Sequence, residues 1–327
     1  MNTNLKEDKF GIKVLKSYLW QLMGMITIPL IIQMLNTNNK LPFFSIIIPT
    51  YNRPKKLKNC LKSITQLDYP LDQFEVIIVD DGSSQSLESI INYFQPLIKL
   101  KFIQQKNSGP ATARNNGVSQ AQGKYIAFID DDCEVTPSWL SIFADGFQRS
   151  PNAILGGYTI NKLTENIYSE ASQKLVDYLY SYYNVILDQA KFFTSNNFVI
   201  PKVIFEKIGG FNTTFSLAAA EDRELCERIY SQGYKMIYSP QAQVKHSHYL
   251  TLKTFWRQHI NYGKGARYFH KIKAKNNSTN IKIEPLNFYF NLLIFPIKGK
   301  LEIKNIKIII LFIVSQIANT IGFLLNK

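Results

Sequence analysis

The sequence predicts an α/β fold built on an open sheet with helices on both faces. Short runs of Ile and Val alternate with segments of helical periodicity over residues 43–129. Polar and acidic residues follow directly after the predicted strands. Long apolar segments with nearby lysines occur towards both ends of the chain, so apolar helical flanks are expected beside the α/β domain.

Each element of the α/β region follows from its own pattern. Continuous apolar runs of four to seven residues are typical of strands covered on both faces, as in parallel sheets. The strands are expected at residues 43–49, 74–79, 100–103 and 125–129, and the helices between them at 54–66, 86–93 and 111–121. A later strand is expected at 235–238, before a turn at Pro240. Because ligands bind at the carboxyl ends of the strands in such sheets, residues 49–53, 80–84 and 130–134 are candidates for function.

The composition is that of a folded chain without disulfides. Of the 327 residues 46% are hydrophobic and 19% are charged, which excludes a disordered protein. The three cysteines, Cys60, Cys133 and Cys226, lie far apart and form no CxxC pair. This argues against a disulfide framework or a zinc knuckle and favours a reducing compartment.

The net charge of +14 is concentrated at the two ends of the chain. Residues 1–40 contribute +3 and residues 251–327 contribute +11, whereas residues 41–250 hold 20 basic and 20 acidic side chains. A nucleic-acid-binding groove in the main domain is therefore not expected. Basic segments beside apolar runs favour an anionic membrane surface as the partner.

Two uncharged segments approach the length needed to cross a bilayer. Residues 17–35 and 308–325 carry no charge, and 18 residues of helix measure roughly 27 Å. Four lysines precede the second segment, so the positive-inside rule places the preceding chain in the cytoplasm. Pro29 makes the first segment the candidate for an interfacial position. The alternative is that both segments pack on the protein itself, and a third apolar run at 286–297 is too short to span.

Three adjacent carboxylates, Asp130, Asp131 and Asp132, follow an apolar strand. Adjacent like charges need a compensating cation, and oxygen ligands favour Mg²⁺ or Mn²⁺, which commonly bridge carboxylates to phosphates. A solvated acidic turn is the alternative. The DxDx[TV] pattern of dehalogenase-type phosphatases fails because Glu134 stands where Thr or Val is needed. The glycine motifs of dinucleotide-binding and P-loop proteins are absent from the sequence, which removes the main support for those functions.

Six motifs follow one another along residues 45–228. They are SIIIPTYNR at 45–53, VDDGS at 79–83, NSGPATARNNG at 107–117, GKYIAFIDDDCEVTP at 123–137, IGGF at 208–211 and EDRELCER at 221–228. Together they resemble a family 2 glycosyltransferase with the GT-A fold, over about residues 43–250. The resemblance implies a Rossmann-like open mixed sheet, a nucleotide-diphospho-sugar donor, with a UDP-sugar favoured, and a glycan or lipid-linked acceptor.

The resemblance also implies roles for individual residues. Asp81 corresponds to the acid that binds the donor's base, and Asp130 with Asp132 to the DxD pair that holds Mn²⁺ or Mg²⁺ on the diphosphate. Asp222 corresponds to the catalytic base. The expected donor-binding residues are Pro49, Tyr51, Arg53, Asp81, Arg114, Asp130 and Asp131, the expected metal ligands are Asp130, Asp132 and His246, and the expected catalytic pair is Glu221 and Asp222.

These roles are chemically coherent. A carboxylate base suits deprotonation of an acceptor hydroxyl, and a divalent metal suits a leaving diphosphate. A single base opposite the leaving group implies direct displacement with inversion. An acidic pair at a helix start also has a structural explanation, because the helix dipole favours negative charge there. His246 stands where some family members place a third metal ligand, and His248, two residues on, shares its strand face; either histidine can instead be structural.

The sequence departs from the processive branch of the family because it has no Q-x-x-R-W motif. Transfer of single sugars is therefore expected. Residues 255–268 predict a basic, aromatic helix with a break at Gly263 and Gly265, covering the acceptor side or forming an ordinary surface helix.

The sequence thus predicts a membrane-associated, metal-dependent inverting glycosyltransferase of polysaccharide biosynthesis on the cytoplasmic side. A catalytically inactive GT-A protein that binds nucleotide sugars is the alternative, and a nucleic-acid-binding protein is disfavoured. Residues 155–197, on the acceptor side, match no interpretable pattern, so the sugar and acceptor stay open. The expected segments are 1–40 (basic and apolar), 41–250 (GT-A domain), 251–285 (basic linker helices) and 286–327 (membrane-associated).

Overall fold

The computed structural model describes residues 41–215, 219–277, 284–297 and 302–325. The chain from Pro42 onwards forms one compact unit. The predicted N-terminal segment 1–40, with its uncharged run at 17–35, lies outside the described residues, as do Lys298 and Lys300 before the C-terminal apolar run.

A single mixed sheet organises the α/β region. Its strands are β1 (Phe44–Thr50), β2 (Phe74–Asp80), β3 (Leu100–Gln104), β4 (Tyr125–Phe128), β5 (Cys133–Val135), β6 (Ile154–Asn161), β7 (Phe198–Pro201) and β8 (Met236–His246). They lie in the order β3-β2-β1-β4-β7-β6-β8-β5. The first four are parallel, β7 is antiparallel to β4 and β6, and β8 runs parallel to β6 and antiparallel to β5. The predicted open mixed sheet is confirmed.

Helices cover both faces of this sheet, and further helices follow it in the chain. They are α1 (Pro54–Ile64), α2 (Glu88–Phe94), α3 (Pro110–Ser119), α4 (Trp139–Arg149), α5 (Ile167–Tyr183), α6 (Lys202–Lys207), α7 (Glu221–Ser231), α8 (Leu252–Asn277), α9 (Leu286–Ile294) and α10 (Ile303–Leu325). The seven elements predicted between residues 43 and 129 are present, with ends shifted by up to two residues.

The side chains of the strands alternate between the two faces of the sheet, and they form a core layer on each face. Ile46 and Ile48 of β1 face a cluster shared with α1, α2 and α4. Ile47, between them, faces a second cluster shared with α3, α6 and α7. Successive strand side chains point to opposite faces, so the unbroken apolar run of β1 is what a strand covered on both sides requires.

A third apolar cluster joins the C-terminal helices to α5. It contains Tyr178 of α5, Phe255 of α8, Phe288 of α9 and Phe312 of α10. Within the described residues, α10 is the one helix long and apolar enough to cross a membrane, with 23 residues and a mean hydropathy of 2.3 in its most apolar window. A third of that window is buried against the rest of the protein.

The structure corrects two expectations about the C-terminal half. The predicted break at Gly263 and Gly265 is wrong, because α8 is continuous. A Cβ on Gly263 would lie 2.0 Å from the carbonyl oxygen of Asn319, so the glycine allows α10 to approach. The predicted end of the strand near Tyr238 is also wrong, because β8 continues to His246 through a register shift opposite residues 156–158 of β6.

Candidate functional site

Three predicted segments, two of them acidic, come together at the carboxyl ends of the parallel strands. Thr50, at the end of β1, pairs in register with Asp80 at the end of β2. The segment after β4 reaches the same edge, where Thr50 Oγ1 donates to the Asp131 carboxylate over 2.8 Å. Residues predicted from three separate motifs therefore lie side by side, as expected for an open sheet.

Asp81, the predicted ligand of the donor's base, holds the loop that leads into α3. It is only 5% exposed. One carboxylate oxygen accepts from Gln105 Nε2 and from the Ser108 amide, both at 2.8 Å, and the other accepts from the Gly109 amide at 2.9 Å. Its contact with a nucleotide base stays a prediction. Pro49 and Tyr51 lie at the neighbouring strand end, with Tyr51 47% exposed.

The middle acid, Asp131, is buried, and its predicted contact with the donor stays a prediction. Besides Thr50, it accepts from Arg53 Nη1 at 3.1 Å. Burial raises the pKa of Asp131 to about 6, and Arg53 opposes that rise. Arg53, half of whose side chain is exposed, also lies 3.3 Å from Asp132, so one guanidinium compensates two carboxylates.

Asp132 is the buried centre of the cluster. Its oxygens lie 3.1 Å from Lys56 Nζ and 3.1 Å from His246 Nε2, with His248 Nδ1 at 3.6 Å. Burial alone would raise the pKa of Asp132, but His246, His248 and Lys56 hold it well below its usual range. Burial opposes protonation of His246, yet Asp132 raises the pKa of its imidazole. The site thus keeps a carboxylate ionised inside the protein.

The donor set at Asp132 fits a divalent cation. Ligand atoms of Asp132, Cys133 and His246 all lie within 4.8 Å of one another. Burial raises the pKa of Cys133 well above its usual value, so its sulfur stays a thiol and a poor ligand. A carboxylate oxygen and an imidazole nitrogen are left, and both are ligands that a divalent cation accepts. Asp130, predicted as a further metal ligand, instead pairs with the guanidinium of Arg114.

Arg114 of α3 connects the acidic triplet to the predicted catalytic pair. Its side chain is 4% exposed; Nη2 lies 2.7 Å from Asp130 and Nη1 lies 3.3 Å from Glu221. The guanidinium also lies 5.3 Å from the centre of the Phe211 ring. One buried cation therefore links carboxylates from two distant parts of the sequence and compensates part of the negative charge of each.

Glu221 and Asp222 open helix α7. The preceding Ala220 has a φ of +69°, an uncommon backbone conformation for a residue with a Cβ, and such conformations cluster at functional sites. Glu221 is buried, whereas Asp222 is half-buried and accepts from the Arg223 amide at 2.7 Å. Burial raises the pKa of both carboxyl groups, and the charge of Arg114 works against that rise. A half-buried carboxylate with a raised pKa is suited to general-base chemistry.

Helix α8 contributes three polar contacts that sequence reasoning missed. Gln258 Oε1 lies 3.0 Å from His248 Nε2, and Gln258 Nε2 donates to Tyr262 at 2.7 Å and to Ser172 of α5 at 3.2 Å. Burial and the charges of Asp222, Glu221 and Asp130 raise the pKa of Tyr262 to about 12. The spacing of four between Gln258 and Tyr262 was the only available signal, and it is common on helices.

The structure therefore brings the predicted metal ligands and the predicted catalytic pair into two neighbouring groups, whereas the Asp81 carboxylate bonds to the loop at 105–109. Asp132 and His246 meet directly, and Arg114 joins Asp130 to Glu221, beside Asp222. His248 lies next to His246 with the two rings stacked at 5.3 Å.

Comparison with curated proteins gives a family. Residues 45–209, half of the chain, match the sequence model described as glycosyl transferase family 2. The probable glycosyltransferase YdaM of Bacillus subtilis is 27% identical over 278 residues, covering 78% of this chain and 64% of the relative. The glycosyltransferase AglE of Haloferax volcanii is 37% identical over 102 residues, covering 31% of this chain and 34% of the relative. The match spans less than two thirds of the length of these relatives.

Comparison with solved structures confirms the predicted GT-A fold. The mannosyltransferase PcManGT of Pyrobaculum calidifontis, solved with GDP-Man and Mn²⁺, has a TM-score of 0.60 at 17% identity over 88% of each chain. TarS 1–349 of S. aureus has a TM-score of 0.55 at 17% identity, over 86% of this chain and 89% of that one. Fold, ordered motifs and family match agree, and the chain belongs to glycosyl transferase family 2.

Proposed function

We propose that this protein is a metal-assisted, inverting glycosyltransferase that moves a sugar from a nucleotide-diphospho-sugar to a hydroxyl of a glycan or lipid-linked acceptor. The observation that carries the proposal is the buried Arg114 bridge. It holds the Asp130–Asp132 triplet and the Glu221–Asp222 pair at one site, so that residues suited to a diphosphate and to a hydroxyl lie together.

The donor half of the site offers charges of both signs. Asp132 and His246 would hold Mn²⁺ or Mg²⁺, which when bound supplies Lewis-acid stabilisation of the leaving diphosphate. Arg53 and Lys56 lie against the same carboxylate and are placed to pair with phosphate oxygens. A UDP-sugar is favoured because TarS and GalNAc-T7 were each solved with UDP, whereas PcManGT was solved with GDP-Man.

Asp222 acts on the acceptor. Its carboxylate accepts the proton of the attacking hydroxyl while the acceptor oxygen bonds to the anomeric carbon and the bond from that carbon to the diphosphate oxygen breaks. No covalent sugar–enzyme step is needed, so the configuration at the anomeric carbon inverts. Glu221 precedes Asp222 in the chain, and the charge of Arg114 opposes the rise in the pKa of Asp222.

The proposed location is the cytoplasmic side of a membrane. The basic excess of residues 251–327 favours anionic lipid, which is the lipid that gives the cytoplasmic leaflet its negative surface potential. The proposed division of the chain keeps residues 41–250 as the catalytic domain, with 251–285 on the acceptor side and 1–40 and 286–327 associated with the membrane.

Donor hydrolysis tests the proposal against that of an inactive nucleotide-sugar-binding protein. Purified protein with Mn²⁺ is screened against a panel of nucleotide sugars by thermal shift, and the best ligand is then assayed for release of the nucleoside diphosphate. We expect Asp132→Asn to lower the rate by about 10²–10³-fold. The matched control is Asp72→Asn, at an exposed acid before β2, and it should retain full activity. Binding without hydrolysis by the unmodified protein would support the inactive alternative, and equal activity of both variants would reject the role of Asp132.

A further inference from the structure

We propose that helix α10 lies along an anionic membrane surface while folded onto the rest of the protein, and does not cross the bilayer. Its outer face carries an isoleucine stripe, defined as Ile303, Ile306, Ile310, Ile313 and Ile317. These side chains are 45–75% exposed. Spacings of three and four residues place them on one face of the helix, and Leu324, 65% exposed, continues it.

The opposite face of α10 is buried on the protein. Ile308, Leu311, Phe312, Ser315, Ala318 and Gly322 are buried there. A Cβ on Gly322 would lie 2.0 Å from the carbonyl oxygen of Ile260 in α8, so the two backbones are in direct contact. Arg267 of α8 donates to the carbonyl oxygens of Phe323 and Leu324 at 2.9 and 3.0 Å. The last turn of α10 is therefore capped by its neighbour.

This packing is incompatible with α10 as a transmembrane span. Helix α8 contains seven Lys or Arg and lies against α10 at Gly263, Ile260 and Arg267. Crossing the bilayer with α8 attached would carry several charges into hydrocarbon, at about 2.5–3.5 kcal/mol each near the centre. Crossing without α8 would break the glycine contacts and the Arg267 cap. Lying in the interface keeps both the packing and the charges.

The basic face of α8 identifies anionic lipid as the occupant. This face is defined as Lys253, Arg257, Lys264 and Lys271, whose spacings of four and seven residues place them on one side of the helix. None of the four forms an ion pair within the described residues. Lys264 is one turn from Ile260, whose carbonyl oxygen contacts Gly322, so the basic face borders α10. A second copy of the chain would oppose these cations with like charges, whereas anionic headgroups beside acyl chains match both faces.

The inference deepens the membrane part of the proposed function and rests on it, but its test does not depend on sugar transfer. Vesicle binding is measured with the full-length protein by co-sedimentation, using phosphatidylcholine vesicles with and without phosphatidylglycerol. We expect binding to the anionic vesicles and release by high salt. Loss of donor hydrolysis with intact vesicle binding would reject the proposed chemistry and leave this inference standing.

The stripe is tested with a triple variant, Ile310→Ser, Ile313→Ser and Ile317→Ser. Because the side chains are exposed, the variant should fold, which circular dichroism checks. We expect vesicle binding to weaken more than about tenfold, since each replaced isoleucine no longer contributes the free energy of moving its side chain from water into the membrane interface. The matched control carries Leu71→Ser, Leu97→Ser and Val203→Ser, at positions 46–69% exposed elsewhere on the surface, and should bind like the unmodified protein. Unchanged binding of the stripe variant, or a change of oligomeric state with binding retained, would overturn the inference.

Labelling of the two ends of α10 separates the in-plane from the spanning arrangement. Glu302→Cys and Leu325→Cys are made separately, and inverted membrane vesicles of an expression host are treated with a membrane-impermeant maleimide. The native cysteines are buried, so they contribute little background. Labelling of both positions supports the in-plane arrangement, and protection of Leu325→Cys until detergent is added would show that α10 spans.

Discussion

Replacing Arg114 with glutamine should destabilise the protein by about 3–5 kcal/mol, because breaking one side of a buried ion pair leaves an uncompensated charge. The Arg114 and Glu221 side chains are 4% and 5% exposed and 3.3 Å apart. At an effective dielectric of about 20, two unit charges at that distance interact by roughly 5 kcal/mol, which agrees with the upper end of the expected destabilisation. Urea unfolding at about pH 9, above the pKa of about 7 to which burial raises Glu221, measures the loss.

A double-mutant cycle isolates the pair. Adding Glu221→Gln to Arg114→Gln removes the stranded carboxylate, so the double variant should be more stable than Arg114→Gln alone. Asp130, with 30% of its side chain exposed, can then be hydrated. Arg149→Gln, at an exposed arginine that ends α4, is the control and should change stability by less than about 0.5 kcal/mol. A loss below about 1 kcal/mol for Arg114→Gln, or no recovery in the double variant, would refute the reasoning.

Three further predictions address the proposed base Asp222, the half-buried acid Asp177 and the helix contact at Gly322. Asp222→Asn should lower kcat about as much as kcat/KM while donor affinity measured by calorimetry is retained; an equal fall in donor affinity would make Asp222 a donor ligand. Burial raises the pKa of Asp177 to about 6, against about 3.9 in the unfolded chain. The folded protein therefore favours the protonated carboxyl group, and the stability that this group contributes is complete below about pH 4 and is lost as the pH rises through 6. Asp177→Asn should therefore be more stable than the unmodified protein at pH 8, by about 1–3 kcal/mol, and the difference should vanish near pH 4; a constant difference in urea unfolding would contradict this sign. Gly322→Ala should cost about 1–3 kcal/mol of stability, because its Cβ would meet the Ile260 carbonyl oxygen at 2.0 Å, and an unchanged melting temperature would contradict the close helix contact.

The parallel half of the sheet was predictable because each of its elements carries its own signal. The Ile and Val runs of β1 and β2 are buried on both faces, so their sequences show no polar interruption. The long β8 was not predictable in full, because residues 237–240 are half-buried and 241 is exposed, and its continuation depends on pairing with β6. A pattern of partial burial looks like a turn when the partner strand is unknown.

The predicted site residues came from motifs, whereas their contacts came from tertiary structure. The acids at 130–132 were singled out by their place after a strand, whereas the pair at 221–222 was predicted from its resemblance to a family motif. Nothing in the sequence indicated that Arg114 bridges the two groups, because its partners lie 16 and 107 residues away. Gln258 reaches His248 only because α8 docks on α5 and α10. The glycines that permit this docking resemble helix breakers in the sequence and act as contact points in the fold.

The stereochemistry of donor hydrolysis tests the central claim most directly. With an α-linked nucleotide sugar as donor and water in place of the acceptor, proton NMR identifies the anomer that is released first, before mutarotation. Direct displacement assisted by Asp222 predicts that the β-anomer appears first and that Asp222→Asn suppresses its formation. The α-anomer as first product would contradict inversion and would require a different account of the Glu221–Asp222 pair.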